Sequence, residues 1–561
     1  MRPIHFNMLR RYRLLFLIGI IFFAAVLRLY QLGVTPVSPD WDEVALGYNA
    51  YSIIQTGKDE YGAFLPVVLR SYDDYKPALY TYLAIPPIFV FGLTVFATRL
   101  PSAIFGILTI FITYLLIREV FKKESLALIT SFLLAISPWH IQFSRVAFET
   151  NIGLSLNILT AYLFVKGLKK PWVLILSAFS AGLAIYAYQS EKVFTPLFVL
   201  VLVLIFARQL FSLPKKYLLT AAITGILVVT PMFVYITSHK EALLRAQATL
   251  AFSDQTSFLK NQIKRVNYDH LRKDYLGLVL DNRRVLFLLT GVGGYLSHYD
   301  LNWLFFKGDL TRHHAPGMGL MYLWELPFLL IGLYALFFSR LESKEKRGKY
   351  LFFAWFLLAP VPAAFTSDLP HAVRTLNFLP TFQLFTAWGI LSAVQMIRVY
   401  KERKGTIFSK LFPVFVLCFL FFAVGNFAYY LNQYFVQQNY FYSRDWQYGY
   451  ADTVDYIKKV DADYDKIVVS NKQPLDDSYM FFLFYLKYPP EKYQRESLSK
   501  SGGYDIRHSF GKFEFRPVHW DTEVKKDTIL YVEGVSEYGG GNIVKPVDFL
   551  DGTPAIKIVQ G

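Results

Sequence analysis

Residues 78–96 read ALYTYLAIPPIFVFGLTVF, an uncharged run whose placement decides the fold. It is long enough to cross ~30 Å of hydrocarbon, yet Pro86-Pro87 at its centre argues against a straight spanning helix. Apolar runs of comparable length recur at about 14–30, 100–117, 125–141, 150–166, 171–188, 193–211, 217–237, 318–338, 350–366, 374–397 and 407–431. In a chain of 561 residues that is 54% apolar and 18% aromatic, such runs mark a polytopic α-helical membrane protein. The loop charges then decide what 78–96 does. If it stays on one side, the clusters at Arg10–Arg13, Arg118–Lys123, Lys166–Lys170, Arg208–Lys216, Arg340–Lys349 and Arg398–Lys404 all share a face. The short loops opposite keep Arg145, Lys192 and Arg374. If it crosses, every later cluster changes sides and the positive-inside rule fails. The expectation is therefore about eleven spanning helices, with the N-terminus cytoplasmic and the C-terminus extracytoplasmic. Residues 78–96 then form an in-plane helix of a first outer loop over residues 31–98.

The formal charge of +16 is held in these short clusters between apolar runs, so it sets topology and is no sign of nucleic-acid binding. The single cysteine, Cys418, lies in an apolar run and excludes an intramolecular disulfide. The first run follows Arg10-Arg11-Tyr12-Arg13 like a signal peptide. It lacks a small-residue cleavage site, so a retained anchor is expected.

The multi-spanning part is expected over 1–432, with a long, mixed outer loop at 238–317. From about 433 the composition becomes that of a soluble domain. Residues 446–460 and 480–487 read as helices, and 466–470, 528–532 and 555–559 as strands. A small extracytoplasmic α/β domain over 433–561 follows.

The first outer loop is net acidic and opens with Ser38-Pro39-Asp40-Trp41-Asp42-Glu43. A helix is expected to begin near Asp42, where acids suit the positive end of its dipole, and to stop near Gly57. Under the chosen topology Asp42, Glu43, Lys76, Arg145, Glu149, His313, His314 and Arg374 all reach one face of the membrane. Acids there can take a proton from a hydroxyl, and cations can hold a phosphate. Each signal has a plainer reading. Asp42-Glu43 can cap an interfacial helix, and Lys76 can be a snorkelling anchor. Arg145 and Glu149, at helical i,i+4 spacing, can form a surface salt bridge of small worth. His313-His314 are metal-ligand types, but adjacent histidines point apart and no ligand-spaced cluster surrounds them in the sequence.

At these residues the chain resembles the membrane glycosyltransferases of the GT-C fold, with protein O-mannosyltransferases and the lipid A aminoarabinose transferase as nearest kin. Pro39-Asp40-Trp41-Asp42-Glu43 resembles their acidic pair. Tyr75-Lys76-Pro77-Ala78-Leu79-Tyr80 resembles the entry to their interfacial helix. Arg99-Leu100-Pro101-Ser102-Ala103 and Ser144-Arg145-Val146-Ala147-Phe148-Glu149 resemble later motifs, in the same order. The resemblance implies an enzyme that moves a sugar, with inversion, from an undecaprenyl- or dolichyl-phosphate donor to a lipid, glycan or protein acceptor on the non-cytoplasmic face. It implies Asp42 as general base with Glu43 in support. Lys76, Arg145 and Arg374 would hold the lipid phosphate, Glu149 would shape the pocket, and Asp40 and Tyr75 would be further substrate contacts. Tyr75 stands where the aminoarabinose transferases tend to carry an acid, so the metal or sugar contact made by that acid is not implied. No eukaryotic-type insert appears in the outer loops, which points to a prokaryotic inner membrane and a cell-envelope role. Three rivals remain: an oligosaccharyltransferase-like enzyme with a divalent metal on Asp40 and Asp42, a lipid or glycan transporter without chemistry, and a non-catalytic scaffold that binds through its outer α/β domain. No cofactor is otherwise called for.

Overall fold

A computed structural model describes residues 12–72, 74–239, 250–251, 255–403, 405–496 and 508–561. Arg10, Arg11 and Lys404, which the charge reading uses, lie outside the described residues.

Four helices have the length and apolarity to cross a membrane: Val95–Phe121, Glu191–Leu210, Lys215–Ser238 and Pro413–Phe441. A fifth candidate is the pair Glu124–Ile136 and Pro138–Ser144, bent by 61°. The described residues thus supply four or five of the roughly eleven spans expected from charge placement. Several remaining runs fold as shorter helices: Leu79–Phe91, Val173–Ala184 and Glu325–Phe338 have 13, 12 and 14 residues. At ~1.5 Å per residue these rise only about 18–21 Å. Glu149–Gly167 is longer, but Asn151 and Asn157 inside it lower its hydropathy.

The bend in the broken pair has a clear cause. Pro138 cannot continue the helix before it and instead opens the next one, where Ser137 Oγ accepts from His140 N–H. The freed carbonyls of Leu134 and Ala135 are met by Arg28 Nη2 and Nη1 at 3.4 and 3.0 Å. A guanidinium there also suits the negative end of the first helix's dipole. Elsewhere Glu325–Phe338 and Thr381–Arg403 cross almost backbone to backbone. A Cβ on Gly332 would meet Phe385 O at 1.8 Å, and one on Gly389 would meet Phe328 O at 1.8 Å.

The helix Trp41–Thr56 is closed at its start by a capping box between Asp40 and Glu43, and ends at Gly57, φ +71°. The hairpin Val68–Ser71 with Asp74–Pro77 follows, pairing Leu69 with Lys76. It delivers the chain to Leu79–Phe91.

The C-terminal part carries a six-stranded sheet in the order His508–Phe510, Phe513–Phe515, Lys466–Val469, Ile529–Gly534, Pro554–Gln560, Asn542–Asp548. Lys466–Val469 is parallel to both its neighbours, and the other pairings are antiparallel. The helices Tyr450–Val460 and Ser478–Leu486 complete the α/β unit. The His508–Phe515 hairpin and the strand Asn542–Asp548 were not expected from the sequence. This unit shares one apolar core with the helix Trp41–Thr56, in which Val44, Leu46 and Tyr48 join Phe481, Phe482 and Phe484. Polar contacts reinforce the seam: Tyr48 donates to Tyr488 O at 3.1 Å, and Gln494 Nε2 to Asp59 O at 2.8 Å. The unit is therefore fastened onto the helix Trp41–Thr56, which carries Asp42 in its first turn.

Candidate active site

The capping box fixes what each acid of 38–43 can do. Asp40 Oδ1 accepts from Glu43 N–H at 2.9 Å, and its Oδ2 accepts from Arg312 Nη1 at 2.8 Å. The Arg312 guanidinium lies over the Trp41 ring at 4.2 Å. Burial raises the Asp40 carboxyl, against the pull of Arg312. Glu43 is spent on packing: Arg99 Nε and Nη2 donate to its two oxygens at 2.8 Å each, and Ala147 N–H donates to Oε1 at 2.8 Å. A bidentate pair of this kind is a strong fastening between elements. Asp40 and Glu43 are each 1% exposed, whereas the Asp42 side chain is 29% exposed. Asp42 alone of the three can meet a substrate.

Lys76, on the hairpin strand Asp74–Pro77, donates to Asp42 Oδ1 and lies 4.0 Å from Asp74. It is 4% exposed and sits 5.8 Å from the centre of the Tyr72 ring. Its neighbour Tyr75 has its carbonyl held by Gln189 Nε2 at 2.8 Å. Glu149 opens the helix Glu149–Gly167, where an acid suits the dipole. Its carboxyl lies within electrostatic reach of Lys76, Asp42 and Asp40. The Tyr188 hydroxyl is in turn within reach of Arg374, Glu149, Asp42 and Lys76. Asp42, Lys76, Glu149 and Tyr188 therefore converge, with Arg374 at the edge.

The geometry gives three of the expected site residues other contacts. Glu43 cannot act beside the base, because its oxygens are taken by Arg99, Ala147 and Asp40 N–H. Arg145 is fully buried. Its Nη1 and Nη2 donate to Leu27 O and Thr35 O at 2.9 and 3.0 Å, and it lies 4.7 Å from the centre of the Phe435 ring. It fastens the first helix and its exit, and is not aimed at a phosphate. Nor does it pair with Glu149, since the break after Ser144 puts the two residues on different helices. Arg374 Nη1 donates to Thr366 Oγ1 and Ser367 O at 2.7 and 2.5 Å, within its own loop.

Sequence reasoning passed over three contributors. Arg99 enters only within a motif of the resemblance, and Arg312 and Tyr188 not at all. A further group forms beside Arg312. The ligand-type atoms of Asp309, His313 and His371 all lie within 4.8 Å of one another. Asp309 Oδ2 accepts from Ala372 N–H at 2.7 Å and lies 2.9 Å from His313 Nδ1. Burial would raise Asp309, but His313 and the Ala372 N–H outweigh it and hold the carboxyl at about 2. Asp309 Oδ1 and His371 Nδ1 are buried without a hydrogen-bond partner.

A buried acid at the rim offers a pH test. Glu60 is 2% exposed, exchanges hydrogen bonds with Asn49, and leaves Oε2 without a partner. Burial pushes its carboxyl up to about 8. The folded state then holds a proton that the unfolded chain gives up near the ordinary glutamate value. Its stabilising share is complete below that value and is lost as pH rises through about 8. Glu60→Gln is expected to unfold at the same temperature as wild type near pH 5 and a few degrees higher at pH 9, read by thermal melts in detergent.

A family model described as dolichyl-phosphate-mannose-protein mannosyltransferase matches residues 76–235, from Lys76 into the helix Lys215–Ser238. No curated protein sequence matches the chain. Among solved structures, ArnT from Cupriavidus metallidurans in the apo state aligns with TM-score 0.53 at 12% identity, over 98% of each chain. ArnT bound to undecaprenyl phosphate gives 0.52 at 13% identity, over 96% of this chain and 97% of that one. The chain has the GT-C fold. The archaeal oligosaccharyltransferase AglB from Archaeoglobus fulgidus, in complex with an inhibitory peptide and a dolichol-phosphate, gives 0.50 at 13% identity. That match covers 85% of this GT-C chain but 64% of AglB's length.

Proposed function

We propose that this GT-C protein is a glycosyltransferase that moves a sugar from a polyprenyl-phosphate donor to an acceptor hydroxyl or amine at the membrane face bearing Asp42. The reading rests most on one observation. Of the three clustered acids only Asp42 is open, and it touches the cation, Lys76, best placed to hold a phosphate. The relatives support the donor class: ArnT has been seen with undecaprenyl phosphate and AglB with a dolichol-phosphate.

In this reading Asp42 takes the acceptor proton as the acceptor's lone pair attacks the anomeric carbon. The bond from that carbon to the phosphate oxygen breaks, and the electron pair leaves with the polyprenyl phosphate. Lys76 meets the charge that develops there, with Arg374 at longer range. One base and one displacement give inversion. Glu149 and Tyr188 line the pocket, while Asp40, Glu43 and Arg99 hold Asp42 in place. The face concerned is extracytoplasmic, at the inner membrane of a prokaryote. Purified protein in detergent, given a radiolabelled polyprenyl-phosphate sugar and a crude envelope acceptor fraction, is expected to transfer label and release polyprenyl phosphate. Donor that stays intact while the lipid is carried across a vesicle bilayer would support the transporter reading.

A metal on Asp40 and Asp42 is disfavoured, because Asp40 already serves Glu43 N–H and Arg312. The group that fits a divalent cation is Asp309, His313 and His371, whose mixed carboxylate and imidazole donors and partnerless buried atoms suit zinc. Such an ion would tie the loop ending at residue 317 to that holding His371. One equivalent of zinc is expected in protein purified without chelator. His371→Ala is expected to lose the metal and to melt several degrees lower. Equal metal content in the variant would sink this assignment.

A further inference from the structure

The segment between the helix Lys215–Ser238 and Asp309 carries a surface that the site does not use. It contains the helices Gln255–Arg272, Tyr275–Leu280 and Arg283–Ser297. One face of the last is settled: Gly291 and Gly294 are buried against Phe365 and Ala364, and His298 Nε2 accepts from His371 N–H at 3.2 Å. The other face is bare, with Leu288 and Leu289 each 60% exposed and Val292 45%. The end of the helix Gln255–Arg272 and the short helix Tyr275–Leu280 add to it, with Leu271 83%, Tyr275 76% and Leu276 68% exposed. Chains in water rarely leave so much contiguous apolar surface uncovered.

The charges around this surface select its partner. Residues 255–297 hold seven lysines and arginines against three aspartates. Arg272, Lys273, Arg283 and Arg284 sit next to the exposed leucines in the chain, at the ends of the helices, and are themselves exposed. An apolar face edged by cations is the pattern of a helix lying in the headgroup layer, its leucines at the acyl boundary and its cations among lipid phosphates. In the chain the segment follows a helix long and apolar enough to cross a membrane, Lys215–Ser238, and precedes Arg312, which donates to Asp40.

We propose that the Tyr275–Leu280 and Arg283–Ser297 helices, with the end of Gln255–Arg272, form a membrane-docking element that binds the surface of anionic lipids. Its inner face carries His298 against the His371 loop, so docking sets the height of that wall of the site above the bilayer. The surface belongs to the chain whatever reaction the site performs.

The test uses the full chain in lipid nanodiscs. With Cys418→Ala as background, Leu289→Cys is labelled with an environment-sensitive fluorophore, and Lys264→Cys serves as the polar-side reference. In nanodiscs containing phosphatidylglycerol, the label at 289 is expected to be quenched by nitroxide on the acyl chains and shielded from iodide, with the reverse at 264. In purely phosphatidylcholine discs, or with Arg272, Lys273, Arg283 and Arg284 all changed to Gln, acyl-chain quenching at 289 should fall by about threefold or more. Iodide quenching at 289 in anionic discs would overturn the proposal. So would shielding from both quenchers, which would mean that a protein covers the face. Equal acyl quenching in the two lipid compositions would overturn the choice of anionic lipid.

Discussion

Asp42→Asn is expected to lower sugar transfer by about 10²–10⁴-fold, the usual worth of a positioned general base. Asparagine keeps the size and most of the polar contacts of aspartate, so the fold should be unaffected. The neighbouring acids cannot substitute. Asp40 is held by Arg312 and the helix cap, and Glu43 by Arg99, with each 1% exposed. The comparison that separates chemistry from binding is kcat against donor affinity. Loss is expected in kcat, with donor binding equal to or tighter than wild type, because Lys76 no longer shares itself with a carboxylate. Full activity in Asp42→Asn would remove Asp42 from the mechanism.

The largest effect on stability is expected from Arg99→Met. The guanidinium is fully buried and holds both Glu43 oxygens, as well as the carbonyls of Leu32, Pro36 and Ser38 at 3.2, 2.9 and 2.8 Å. Removing it strands a buried carboxylate, a change that typically costs ~3–5 kcal/mol. It also frees the chain entry to the helix Trp41–Thr56, on which Asp42 stands. Thermal melts in detergent should show a large fall in midpoint for Arg99→Met. Glu43→Gln added to it should recover part of the loss, since the stranded charge is then gone. A double variant no more stable than Arg99→Met alone would show that the pair's worth lies elsewhere.

How much of this could be read from the sequence varied with the range of the interactions. The helix Trp41–Thr56 was legible because its start and stop are local: acids at the first turn, a capping box three residues apart, and Gly57 beyond the end. The run at 78–96 folds as the short helix Leu79–Phe91, with Pro86-Pro87 inside it. The three central strands announced themselves by β-branched residues. Glu43 was misjudged because its partner, Arg99, is 56 positions away. Arg145 looked like a surface cation because its distant backbone acceptors, Leu27 and Thr35, leave no mark in the sequence. His313 was set aside for want of nearby ligands. Its companions come from Asp309, on the same loop but not a metal spacing that stands out, and from His371, on another. The shared core of the helix Trp41–Thr56 and the C-terminal unit was invisible for the same reason. Both faces are apolar, and apolar residues do not name their partners.

In the proposed mechanism Lys76, beside Asp42, is the seat of the lipid phosphate. Equilibrium binding of undecaprenyl phosphate to the purified protein, wild type against Lys76→Met, tests it most directly. Saturable binding that weakens by about tenfold or more in the variant is the predicted result, as expected on losing a charge-assisted contact to phosphate. Equal affinity in the two proteins, with both correctly folded, would contradict it.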